Sequence, residues 1–105
     1  MHDFSTRQDI AEKIQTGELT IIKFGATWCG PCQIMKYHLE QLEKQLRGFT
    51  VHIFEVDVDH EQDFAADMGV KTLPTIFIFR HQQLVGHIKG ADIQKLHQLV
   101  TANLQ

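Results

Sequence analysis

The sequence predicts an α/β domain: a central mixed β-sheet flanked by helices, built as one βαβ unit followed by a ββα unit. Three observations carry this. Two runs rich in apolar and β-branched residues, 19–24 and 50–56, lie on either side of a stretch with helical periodicity, and joining strands through a helix implies a parallel crossover. Two later runs, 75–79 and 84–88, are separated only by the polar residues 80–83, which is hairpin spacing and therefore antiparallel. A final amphipathic stripe follows the hairpin. After Gly17 the order is strand, helix, strand, helix, strand, strand, helix.

The elements follow in chain order. Ser5 with Gln8 has capping-box spacing, and Ile10, Ala11 and Ile14 form a stripe that Gly17 can end, so the first helix is expected at about 6–16. The run 19–24 is apolar on both faces apart from Lys23, as in a strand covered on both sides. Pro31 suits a helix start, and Ile34, Met35, His38, Leu39, Leu42 and Leu46 then recur at helical spacing until Gly48. Asp59 is positioned to cap a short helix bearing Phe64, Ala65 and Met68, with Gly69 as its terminator. Asp92 caps the last helix, which carries Ile93, Leu96, Leu99, Val100 and Leu104.

At 105 residues the chain is read as one domain, 1–105, able to bury its own core. A hydrophobic content of 43%, a charged content of 22% and a net charge of −3 suit a globular protein and give no footprint for nucleic acid. No stretch approaches the ~20 apolar residues of a membrane helix. The segment 1–7 lacks the apolar core of a signal peptide, so a cytoplasmic location is expected. No cysteine is spent on a structural cross-link, which fits a reducing compartment.

The only two cysteines are Cys29 and Cys32, within Trp28-Cys29-Gly30-Pro31-Cys32 and just after the first strand. At that spacing in the first turn of a helix, the two sulfurs join without large backbone movement. A structural staple is a poor alternative, because closing so short a loop contributes only about 2 kcal/mol in the chain-entropy model. A zinc site is poorer still, since there is no second cysteine pair and the nearest histidine pair, His81 and His87, spans a turn far from Cys32. No metal is expected. A dithiol switch is the leading interpretation.

With these motifs in place, the chain resembles the thioredoxin family: WCGPC at 28–32, Leu73-Pro74-Thr75 before a strand, and Gly90-Ala91 after the hairpin. The resemblance covers nearly the whole chain and implies the thioredoxin fold and protein-disulfide reductase activity. It makes Cys29 the attacking nucleophile, its thiolate favoured by the N–H groups and dipole of the helix start, and Cys32 the resolving residue. It implies disulfide-containing proteins as substrates, a flavin- and NADPH-dependent reductase as electron donor, and no cofactor in the chain itself; a monomer is the default expectation. In the family the proline matching Pro74 is cis and abuts the dithiol, and the residue before it hydrogen-bonds substrate. Leu73 and Pro74 are thus expected contacts. Trp28, Pro31, Leu73 and Ala91 are expected to form an apolar docking patch, with Gly30 and Gly90 allowing close approach.

The sequence also departs from the family. Six positions before Cys29, where most members have a buried aspartate, stands Lys23, and the usual lysine on the neighbouring strand corresponds to Glu55. A swapped pair is expected, because an unpaired buried charge is expensive. Lys23 and Glu55 are proton-relay candidates, and a charged Lys23 would favour the thiolate and make the dithiol more oxidising. Gly25 replaces a usual aromatic, and Tyr37 stands where the family often kinks this helix with proline. The seven histidines, including His2, His52, His60 and His97, are scattered and carry no catalytic expectation. Two alternatives remain: a specialised oxidant or donor dedicated to one enzyme, and a non-catalytic binding subunit that uses the fold as a scaffold.

Overall fold

The structure, a computed structural model, describes residues 5–104. His2 and the rest of 1–4 lie outside the described residues. The elements are α1 (Arg7–Gln15), β1 (Leu19–Gly25), α2 (Gly30–Gln45), β2 (Val51–Asp57), α3 (Gln62–Asp67), β3 (Thr75–Arg80), β4 (Gln83–Lys89) and α4 (Ile93–Ala102). The expected βαβ and ββα units are both present.

The sheet order is β2-β1-β3-β4. β1 pairs parallel with β2 and antiparallel with β3, and β3 pairs antiparallel with β4, so the sheet is mixed as the sequence predicts. β1 therefore has a strand on either side, and all seven of its residues are buried. Its side chains alternate between two cores. Leu19 and Ile21 join Met35 and Leu39 of α2 and Leu96 and Val100 of α4. Ile22 and Phe24 join Ile10 of α1 and Phe64 of α3 on the opposite face. The Phe24 ring meets Phe64 and Phe77 edge to face at 5.0 Å and 5.6 Å.

Several boundaries differ from expectation for local reasons. Thr6, not Ser5, caps α1: its side chain accepts the Asp9 N–H at 3.3 Å, while the Ser5 N–H donates to the Glu55 carbonyl and ties the chain to β2. The hairpin is tighter than four residues. Arg80 and Gln83 are already paired, leaving His81 and Gln82 at φ 55° and 67° as the turn, a left-handed pair that twists with the strands. Glu61 rather than Asp59 begins α3, without a side-chain cap. Asp92 caps α4 as expected by accepting the Lys95 N–H, but α4 stops at Ala102 and Leu104 packs on the core from beyond its end. α2 runs unbroken through Tyr37.

At the start of the sheet, Glu18 accepts a hydrogen bond from the His52 ring at 2.9 Å. This contact, foremost, holds the Glu18 carboxyl below its ordinary value of 4.5. A carboxyl lowered by folding stabilises the protein above its unfolded pKa, and that contribution disappears as pH falls through the folded value. Glu18→Gln is therefore expected to cost stability near neutral pH, and the deficit is expected to disappear in acid once the pH falls below the lowered folded value. Thermal melts at neutral pH and in acid check this, and a deficit that persists in acid contradicts it.

Candidate active site

The site forms where β1 ends and α2 begins. After Gly25 the chain turns, with the Cys29 N–H donating to the Ala26 carbonyl at 3.2 Å. Cys29 keeps an extended backbone, φ −91° and ψ 112°, and is the N-cap of α2, its Sγ accepting the Cys32 N–H at 3.2 Å. Pro31 occupies the first turn, where its missing N–H leaves no bond unmade. One helical turn separates the two cysteines, which are joined as a disulfide with Cα atoms 5.3 Å apart.

Exposure distinguishes the sulfurs. Cys32 is 1% exposed and Cys29 5%, but Cys29 sits between Trp28, 69% exposed, and the exposed Gly30 and Pro31. Cys29 is at the rim and Cys32 lies beneath it. The two cysteines and Ala26 form a small cluster of their own, with Val58 and Leu73 packed on it.

The other predicted contact residues gather around this rim. The Leu73–Pro74 peptide is cis, as the resemblance implies. Gly90, at φ 80°, donates its N–H to the Pro74 carbonyl at 2.8 Å and so ties Gly90-Ala91 to the proline. Among the described residues, neither the N–H nor the C=O of Leu73 has a backbone partner. Trp28 donates its indole N–H to Asp59 Oδ2 at 2.9 Å. Asp59 is held in turn by Asp57, whose Oδ1 accepts the Asp59 N–H at 2.9 Å and whose Oδ2 pairs with His60 at 3.1 Å. From its sequence position Asp59 is expected to cap α3. Its carboxylate is instead committed to Trp28, and the missed signal is the Asp57-Val58-Asp59 spacing after a strand, an Asx-turn pattern.

Below the dithiol, Lys23 and Glu55 are register partners on β1 and β2, with Lys23 Nζ donating to Glu55 Oε1 at 3.0 Å. Lys23 is fully buried and Glu55 8% exposed. A methyl placed on Gly25 would lie 3.2 Å from Cys32 Sγ and 3.4 Å from Lys23 Cε. The lysine stem and the inner sulfur thus both pack against the bare backbone of Gly25, where even a methyl would be tight.

A disulfide across the first turn of a helix, with one cysteine beside an exposed rim and no structural loop to hold, defines a thiol–disulfide oxidoreductase. The Thioredoxin family model matches residues 3–102. A thioredoxin from Bos taurus is 40% identical over 83 residues, covering 79% of this chain and 77% of its own. Thioredoxin-2 from Pyricularia oryzae is 29% identical over 103 residues, covering 98% of this chain, which in turn spans 59% of that relative. The X-ray structure of Fasciola hepatica thioredoxin superposes with a TM-score of 0.87 at 30% identity, covering 98% of this chain and 99% of that one. The chain belongs to the thioredoxin family.

The Trp28–Asp59 bond is exposed, so it positions the ring more than it stabilises the fold. Asp59→Ala is expected to lower the fluorescence anisotropy of Trp28 while changing unfolding stability by less than about 1 kcal/mol. Unchanged anisotropy would show that packing alone holds the indole.

Proposed function

We propose that Cys29 attacks the disulfide of a substrate protein and that Cys32 completes the exchange. The observation that carries this reading is the capping geometry: Cys29 Sγ accepts an N–H at the positive end of α2, which favours negative charge on that sulfur, and it is the sulfur nearer the surface. The Cys29 thiolate attacks one substrate sulfur, forming a mixed disulfide and expelling the other as a thiolate. Cys32 then attacks Cys29 Sγ, releasing reduced substrate and leaving Cys29–Cys32 oxidised. As Cys32 ionises, its proton passes by way of Lys23 to Glu55, which Lys23 already contacts at 3.0 Å.

The substrate lies across the rim in extended form. Leu73 offers its free N–H and C=O as a short strand-like edge, with Pro74 shaping the approach. Trp28, Pro31, Leu73 and Ala91 supply apolar contact, while Gly30 and Gly90 carry no side chain to obstruct the incoming backbone. The oxidised dithiol is recharged by a reductase that takes electrons from NADPH through a flavin. The protein acts as a monomer in the cytoplasm, consistent with a chain whose only cysteines are the working pair.

Cys29→Ser is expected to reduce disulfide exchange to the background of the donor dithiol alone, and Cys32→Ser to accumulate mixed disulfides at Cys29. Turnover of a disulfide-bearing protein with dithiothreitol, and mass spectrometry of the trapped species, check both. Full activity in Cys29→Ser would remove Cys29 from the mechanism and favour a scaffold. Capture of one dominant protein by Cys32→Ser would favour a dedicated donor.

A further inference from the structure

Lys23 is the only charged side chain among the described residues with no exposed surface. It lies in the row Leu19, Ile21, Lys23, Gly25 on the face of β1 that α2 covers. Its Cε and the Sγ of Cys32 approach the same point above Gly25, at 3.4 Å and 3.2 Å. Glu55 stands on the neighbouring strand and accepts from Nζ at 3.0 Å, the only hydrogen bond of that ammonium among the described residues. An ammonium has three donors, so two hydrogens are not taken by Glu55. Of the pair, it is the lysine stem and not the carboxylate that reaches the point above Gly25 beside the inner sulfur. Out of water, a charge so placed acts more strongly on its neighbours.

We propose that Lys23, which packs with Cys32 over the bare backbone of Gly25, stabilises the thiolate of Cys32 as it leaves when the disulfide is reduced. This rests on the reductase reading above and concerns its recharging half. An incoming thiolate attacks Cys29 Sγ, the sulfur at the rim, forming a bond to it. The Cys29–Cys32 bond breaks, and its electron pair goes to Cys32 Sγ, whose new negative charge meets the Lys23 ammonium. A second thiolate of the donor then takes the donor sulfur off Cys29, which leaves as a thiolate. The donor ends oxidised and the protein reduced by two electrons. A better stabilised leaving thiolate departs faster. The same contact exists only in the reduced protein, so it draws the equilibrium toward the dithiol and makes this protein a milder reductant. Glu55 holds the ammonium in place, and Gly25 is the specificity-determining residue, because a side chain there would separate the two groups.

Two variants test this. Lys23→Met with Glu55→Gln removes both charges at similar volume, leaving no lone buried ion. Gly25→Ala keeps both charges and wedges a methyl against Cys32 Sγ and the Lys23 stem. The oxidised proteins are reduced with dithiothreitol, quenched in acid and assayed for free thiols, and each is also equilibrated with glutathione buffers. Reduction of the double variant is expected to slow about tenfold, the rate equivalent of losing one hydrogen bond to a charged group. Its equilibrium should shift toward the disulfide, and Gly25→Ala should move both readouts in the same direction. Wild-type rates and wild-type equilibria in both variants overturn the proposal, reducing Lys23 to a neutralised core charge. If the double variant does not fold, Gly25→Ala decides alone. Failure of wild type itself to exchange with dithiothreitol would instead overturn the reductase reading.

Discussion

Everything at the site depends on the position of β1. Hydrogen-bonded on both sides and covered on both faces, it is the most constrained segment of the chain, and its last residue leads into the first turn of α2. A buried parallel strand followed by a helix sets the N-terminus of that helix at the end of the strands, with its free N–H groups and dipole pointing outward. Cys29 occupies the one position, the N-cap, that receives those groups. The chemistry of the outer sulfur is thus inherited from backbone geometry, and no neighbouring base is needed to account for it.

The inner sulfur has a different environment, made by side chains. Two residues below the end of β1, a charge pair replaces what would be one more layer of Ile and Leu, and the bare backbone of Gly25 lets the lysine stem and Cys32 Sγ approach the same point. A buried ion pair is weak evidence for stability, because desolvation offsets much of its attraction. Its placement beside the inner sulfur is the observation on which the proposed role of Lys23 rests.

Much of this was legible in the sequence, and the reasons are local. Leu19 to Phe24 declared a fully covered strand, and the two later runs declared a hairpin. The cysteine pair with Pro31 marked a helix start, and the swapped charges at 23 and 55 predicted each other because neither could be buried alone. What was missed depended on competition between partners. Asp59 and Ser5 both had the right identity and spacing to cap helices. Asp59 instead found an indole brought from 31 residues away, and Ser5 met a strand edge. The turn at His81 and Gln82 was hidden because neither residue is the glycine or asparagine that usually signals left-handed backbone. The narrow distance between Lys23, Gly25 and Cys32 follows from how α2 lies on the sheet, which no periodicity encodes.

The dithiol and Ala26 make up a small nucleus beside the two large apolar layers, linked to one of them through Val58. Bond making and breaking there exchanges a few atoms of sulfur and solvent against Val58 and Leu73, while the interdigitated aliphatic and aromatic packing on either side of the sheet has no reason to rearrange. The molecule can alternate between its two oxidation levels as a rigid tool does, with the working tip changing and the handle staying still.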